Sequence, residues 1–190
     1  NIVNPNLVSL VHSHGGKAKG MHGAEVFFST RMKASSSDNG DGDLGYVGEV
    51  VRCDTTEVSR LAQEDIIPIL SPLSREANTD VILNTNADLA ASALAAEMNV
   101  AKLVYISDVL GVLKNPEDDA TLINTIKCSE VSTLSEEGII TGGMLPKLNS
   151  AIHAIESGVG KVHMIDGRIP HSLLLEIFTN TGIGTEIVPS

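Results

Sequence analysis

Tryptophan is absent from the chain, and aromatic residues make up only 3% of it. Platforms that stack single-stranded nucleic acid need several aromatic rings, so that binding mode is excluded. Basic residues are few, 13 Lys+Arg against 24 Asp+Glu, which gives a formal net charge of -11. A field of that sign repels phosphodiester backbones and anionic bilayers, so no nucleic-acid and no membrane partner is expected. Cysteine occurs twice, as Cys53 and Cys128. Neither has a partner at metal-ligand spacing, so no metal site is expected, and both are read as free thiols of a reducing compartment. No apolar run approaches the ~18 residues of a membrane span, and no signal-peptide pattern opens the sequence. No Asn-x-Ser/Thr sequon occurs. The expected location is the cytoplasm.

What is present is a well-mixed globular composition, 42% hydrophobic and 19% charged over 190 residues. That balance excludes a disordered chain and a coiled coil, and the length suffices for one sizeable core. The chain starts with Asn rather than Met, and its first apolar stretch has the period of a helix, so it reads as a piece of a longer polypeptide.

Residues 5–13 carry Leu7, Val8, Leu10 and Val11 on one helical face, closed by Gly15-Gly16. Residues 24–32 and 46–53 read as two strands joined by the polar loop 33–43, an antiparallel hairpin. Thr55-Thr56 is suited to cap a helix with Val58, Leu61 and Ala62 inward, and 66–70 reads as a short buried strand. From there strands and helices alternate: strands at 81–83, 103–106, 162–165 and 185–188, helices at 87–98, 131–137, 144–157 and 170–178. That alternation implies βαβ units, a mostly parallel sheet covered on both faces, and one α/β domain. The fold class expected is a three-layer αβα sandwich with a mostly parallel sheet and an antiparallel hairpin.

Several short motifs suggest chemistry. The string Gly40-Asp41-Gly42-Asp43-Leu44-Gly45 matches G-x-G-x-x-G in letters only. A dinucleotide fingerprint follows a strand and opens a helix, whereas this one follows a polar loop, opens a valine strand and carries two aspartates that repel phosphate. It is read as a loop. The string Asn84-Thr85-Asn86-Ala87-Asp88 follows a strand and enters a helix, the place where α/β proteins bind ligands. Capping of the helix by Asn86 or Asp88 explains it equally well. Ser107-Asp108-Val109-Leu110-Gly111-Val112 follows the next strand, with Gly111 free to turn tightly; an ordinary strand-to-turn junction is the alternative. Thr141-Gly142-Gly143-Met144-Leu145-Pro146-Lys147 places two glycines before a helix and a lysine one turn in. Backbone N–H groups there can approach an anion and Lys147 can neutralise it, or Lys147 is a solvated helix lysine. Together the three strings suggest a phosphate ligand and an aspartate that orients a lysine or Mg²⁺.

In that order, 84–88, then 107–113, then 138–147, these strings resemble the amino acid kinase superfamily and, within it, the acetylglutamate kinases. The segments 44–50, 162–168, 171–179 and 182–185 extend the resemblance to essentially the whole chain. It implies an amino acid kinase-like fold and an ATP-dependent phosphotransferase, acting with Mg²⁺ on the γ-carboxylate of N-acetyl-L-glutamate in arginine biosynthesis, with no covalent intermediate. Lys147 matches the lysine that stabilises the transferring phosphoryl group, and Asp88 the aspartate that holds the catalytic lysines. Asn84 matches the asparagine that contacts acetylglutamate, with Asn86 beside it. Ser107, Asp108, Val109, Gly111, Val112 and Leu113, with Ile139, Ile140, Thr141 and Gly143, match segments around the nucleotide.

The resemblance extends to regulation and assembly. His163, Glu176 and Gly182 match effector positions of arginine-inhibited members. A homo-oligomer, dimer or hexamer, is implied for the intact protein, and a PII-type signal protein is a partner of some relatives. In the family a further N-terminal part carries a glycine-rich phosphate loop, a second lysine, most of the acetylglutamate pocket and the main dimer surface. Residues 1–190 accordingly correspond to the ATP-binding lobe, and this chain alone is expected to be inactive. One loop departs from the family: Gly20-Met21-His22-Gly23-Ala24-Glu25 stands where members carry Gly-Leu-x-Gly-Lys-Asp. The competing readings are a carbamate, aspartate or glutamate 5-kinase, or a non-catalytic arginine-sensing domain.

Overall fold

Short β-branched runs and alanine- or leucine-rich helical stretches alternate along the chain, and the computed structural model builds ten strands and six α-helices from them among residues 2–33, 44–179 and 181–190, the residues it describes. The chain divides into two compact units, Asn1–Leu94 and Ala95–Ser190.

In the first unit, helix α1 (Val3–Ser13) leads into strand β1 (Ala18–Met21), a 3₁₀ turn at Gly23–Glu25, and strands β2 (Phe27–Arg31) and β3 (Gly48–Cys53). Helix α2 (Thr56–Gln63) follows, then β4 (Ile67–Leu70), β5 (Leu73–Glu76), β6 (Ile82–Asn84) and helix α3 (Ala87–Glu97), within which the division falls. Strands β2 and β3 pair antiparallel, as the hairpin reading predicts, in a four-stranded sheet of order β3-β2-β5-β6. Strands β1 and β4 form a separate parallel pair. Val26, Phe27, Val58, Leu61 and Leu83 are the buried apolar centre of this unit.

Several expectations need correction here. The strand expected over 24–32 begins with the 3₁₀ turn, because Gly23 is pressed against 71–73, where a Cβ would lie 2.0 Å from the Ser71 carbonyl oxygen. Thr55 makes no side-chain cap; the Asp54 carboxylate accepts from the Thr56 N–H at 3.1 Å instead. Val58 and Leu61 face inward as expected, but Ala62 is exposed. The strand at 67–70 is not fully buried: Ile67 is 52% exposed and Pro68, Ile69 and Leu70 are half-buried, in a sheet of only two strands. Most of the loop 33–43, and with it most of the G-x-G-x-x-G string, lies outside the described residues.

In the second unit, β7 (Lys102–Ser107), β8 (Thr125–Lys127), β9 (Lys161–Asp166) and β10 (Thr185–Val188) form one sheet of order β7-β9-β10-β8. Helices α4 (Val131–Glu136), α5 (Met144–Glu156) and α6 (Ser172–Phe178) complete it. Gly138 and Gly158, both at positive φ, close α4 and α5. Strand β9 is the centre: Val162, His163, Met164, Ile165 and Asp166 are all buried. It runs parallel to β7 but antiparallel to β10. A parallel return needs a crossover as long as the strand. Helix α6 has seven residues, about 10 Å of rise against about 20 Å for β9, so the chain re-enters the sheet from the end it left. The fold is therefore mixed α/β, with parallel pairs β1·β4, β2·β5, β7·β9 and β8·β10 and antiparallel pairs β2·β3, β5·β6 and β9·β10. Both cysteines are free, as expected. Among the described residues no helix is long and apolar enough to cross a membrane.

Candidate functional site

The carboxyl ends of β7 and β9 lie side by side, with Ser107 in register with Asp166. Polar groups gather where the two strands stop. The Ser107 hydroxyl donates to the Asp108 carboxylate at 3.3 Å, and the Ser107 carbonyl accepts from the Gly167 N–H at 2.8 Å. Asp108 and Val109 are exposed at the tip, while Gly111 and Val112 turn back into the protein and Leu113 bridges to Leu122. Gly111 has no room for a side chain: a Cβ would stand 2.5 Å from Thr185 Oγ1 and 2.9 Å from Leu122 Cδ1. The turn is thus fixed from below and open above.

Asp166, buried at the end of β9, accepts both Nε and a terminal nitrogen of Arg168 in a fork, at 3.0 and 2.7 Å. The Arg168 bonds hold its carboxyl below the usual carboxylate range. Asp166 in turn raises the guanidinium pKa, with smaller contributions from Asp108 and Asp119. An exposed cation with a buried anchor therefore stands beside the Ser107–Asp108 tip. Sequence reading assigned Arg168 no role; its only signal was a position just past a strand.

Thr141, Gly142 and Gly143 are exposed, Ile139 is half-buried and Ile140 is buried beneath them. Gly142 sits at φ +56, and a Cβ on either glycine would meet nothing within 4 Å. Helix α5 begins there with no side-chain cap; the Met144 N–H donates to the Thr141 carbonyl at 3.3 Å, and Pro146 in the first turn has no N–H to satisfy. Lys147, one turn in, places Nζ 5.8 Å from the centroid of the Tyr105 ring on β7. A lysine in the first turns of a helix that follows an open glycine turn suits an anionic ligand.

Asn84, Asn86 and Asp88 belong to the first unit. Asn84 ends β6, and its N–H donates to the Tyr46 carbonyl at 2.7 Å. Asn86 caps α3: its Oδ1 accepts from the N–H groups of Asp88 and Leu89 at 2.9 and 3.1 Å. Asp88, in the first turn of α3, adds a negative charge where the helix dipole favours one. Thr85 is buried, its hydroxyl bonded to Ser74 at 2.8 Å. The variant loop 20–25 is structural here: the Gly23 N–H donates to the Ser71 hydroxyl at 3.0 Å, and Ala24 is buried.

His163, Glu176 and Gly182 converge. His163 Nδ1 and Glu176 Oε1 are 2.6 Å apart, with both side chains buried. Glu176 Oε2 accepts from the N–H groups of Ile183 and Gly184 at 2.8 and 3.0 Å. Gly182 sits at φ +64 so close above that a Cβ would lie 2.6 Å from the same oxygen. Burial alone raises a carboxyl pKa; the bonds from His163 and the two amides outweigh it, and the Glu176 carboxyl titrates below its usual value. His163 Nε2 is buried and has no hydrogen-bond partner among the described residues. The three residues line a cavity of about 300 Å³ with Lys102, Lys161 and Glu186. Lys161 and Glu186 form an ion pair of 2.9 Å. A pocket with charges of both signs fits a small zwitterion.

A divalent cation that travels on phosphates needs one or two protein carboxylates. Asp108, exposed at the carboxyl end of β7, is of that donor class.

The model of the amino acid kinase family matches residues 1–166. The chain is 48% identical over 186 residues to an acetylglutamate kinase of Akkermansia muciniphila, covering 98% of this chain but 63% of that protein. Among solved structures, smu.665 from Streptococcus mutans UA159 aligns with a TM-score of 0.75 at 26% identity, over 99% of this chain and 67% of that one. An N-acetylglutamate synthase from Neisseria gonorrhoeae, complexed with coenzyme A and L-arginine, aligns with a TM-score of 0.76 at 25% identity, over 91% of this chain and 38% of that one.

Proposed function

As the chain belongs to the amino acid kinase family, we propose that it supplies the nucleotide-binding part of an acetylglutamate kinase, a protein longer than the 190 residues present here. The reaction is transfer of the γ-phosphoryl group of ATP to the γ-carboxylate of N-acetyl-L-glutamate, as a step of arginine biosynthesis in the cytoplasm. One observation carries the reading. An open glycine turn leads into α5, and Lys147 of its first turns lies over Tyr105 of β7, the strand that runs into the exposed tip Asp108-Val109.

In-line phosphoryl transfer needs positioning and charge neutralisation more than covalent help. In this reading the amides at 141–143 receive phosphate oxygens, and Lys147 neutralises the charge that grows on the transferring group. The turn 107–113, with 139–140, holds the nucleoside end. Asp88 orients the lysines, and Asn84 and Asn86 meet the acceptor. Asp108 would hold a Mg²⁺ bound with the phosphates, and that ion would supply neutralisation of their charge. The pocket of His163, Glu176 and Gly182 is the seat of an arginine effector, whose guanidinium or ammonium group suits Glu176. The intact enzyme is a homo-oligomer, with a PII-type signal protein as a further candidate partner.

The test is a kinase assay on the full-length protein with ATP and N-acetyl-L-glutamate. Lys147→Ala is expected to lower kcat by roughly 10²–10³-fold, the scale of one preorganised charge-stabilising group, with a smaller change in KM for acetylglutamate. Turnover of carbamate or aspartate in place of acetylglutamate would move the assignment to another branch of the family.

A further inference from the structure

We infer that Thr185 is the positioning residue of the nucleotide turn, and that the segment 182–185 ties this turn to Glu176 of the effector cavity. The inference rests on the nucleotide reading of 107–113 given above. Thr185 is fully buried. Its hydroxyl accepts from the Val112 N–H at 2.9 Å and donates to the Ile123 carbonyl at 2.7 Å. Ile123 in turn donates its N–H to the Val112 carbonyl at 2.9 Å, so three residues close a small ring of hydrogen bonds under the turn. The same hydroxyl stands where a Gly111 side chain would be. One oxygen therefore sets both the height of the turn and the path of its backbone.

The two residues before Thr185 are held from the other side. Ile183 and Gly184 donate their N–H groups to Glu176 Oε2, and Glu176 is fixed by His163. Gly184 is wedged as well, since a Cβ would lie 2.1 Å from the Met164 carbonyl oxygen. The backbone from 183 to 185 has no slack: a shift of Glu176 carries to Gly184, and from Gly184 to the hydroxyl that holds Val112. A ligand that engages Glu176 thereby acts on the affinity for nucleotide, and nucleotide acts back on that ligand to the same degree.

The experiment uses the full-length protein, wild type and the variants Thr185→Val, Thr185→Ser and Glu176→Gln. Calorimetric titration with Mg²⁺ and a non-hydrolysable ATP analogue reads affinity, and hydrogen exchange reads the Val112 amide. Valine keeps the shape and removes the hydroxyl; serine keeps the hydroxyl. Thr185→Val is expected to weaken nucleotide binding about tenfold, the size of one buried hydrogen bond left unmade, and to speed Val112 exchange. Thr185→Ser is expected to stay within about twofold of wild type on both. Glu176→Gln is expected to speed exchange at Val112, which it reaches only through the segment 183–185.

Three results overturn the inference: Thr185→Val binding nucleotide as wild type does, Thr185→Ser as weak as Thr185→Val, or Val112 exchange unmoved in Glu176→Gln. Should the valine variant not fold, wild type alone decides, because a Val112 amide that exchanges faster than those of β10 breaks the tie. If wild-type protein protects Val112 but binds no nucleotide, the reading of 107–113 as a nucleotide site fails while the tie stands.

Discussion

Glu176 illustrates how much one side chain can hold. It satisfies an imidazole and two backbone amides from a buried position, and its pKa is lowered by them. A carboxyl whose pKa is lowered on folding stabilises the protein above the unfolded value, near 4.5, and loses that contribution as pH falls through the folded value. Glu176→Gln is expected to cost about 1.5–3 kcal/mol at neutral pH, the range for hydrogen bonds to a charged group. The gap in Tm between wild type and variant is expected to narrow on acidification below pH 4.5, as thermal melts from pH 7 to pH 3 would record. Neither pattern nor spacing pairs His163 with Glu176; they are 13 residues apart on a strand and a helix, and only the family resemblance set them together. Asn86 was legible in the sequence as a cap, because capping chemistry is local. Thr185 was not legible as an anchor, because its partners lie 73 and 62 residues away and a hydroxyl carries no sign of where it will bond.

At the scale of elements, legibility follows length and amphipathicity. Helices α1, α3 and α5 and strands β7 and β9 are long enough to show their period, and the sequence places them within a few residues. Strands β1, β5 and β8 are three or four residues each, with Lys19, Ser74, Arg75, Thr125 and Lys127 among them, and no hydrophobic run announces them. They exist because neighbouring strands offer hydrogen bonds. The antiparallel entry of β10 was likewise illegible, being decided by the brevity of α6 rather than by β10 itself. The turn after β7 depends on an element it meets from across the sheet. Gly111→Ala would press a methyl against Thr185 and Leu122, and a clash with packed atoms costs about 1–3 kcal/mol. The expected outcome is a lower Tm together with nucleotide affinity reduced at least roughly tenfold, measurable by melting and titration on the same sample.

Over the whole molecule, charge and order of the chain matter most. A net charge of -11 works against any polyanion, so in the proposed reading ATP would be met by the few cations at that site and by Mg²⁺. Chelating Mg²⁺ with EDTA is expected to weaken ATP binding by at least roughly tenfold, and raising the ionic strength in EDTA to recover part of that loss by screening. Equal affinity with and without EDTA would count against a Mg-nucleotide site. The two compact units were not legible as such, since no linker or change of composition marks residue 94 and the division falls inside α3. The tie formed by 182–185 also has a consequence for how the protein is made. Residues 107–113, Ile123, His163 and Glu176 all precede Thr185 in the chain, so on the ribosome every partner emerges before the residue that joins them. A nascent chain halted just short of Thr185 has the turn 107–113 but not the hydroxyl that holds Val112. In the proposed reading, one support of the nucleotide turn is therefore added only by a residue made after all of its partners.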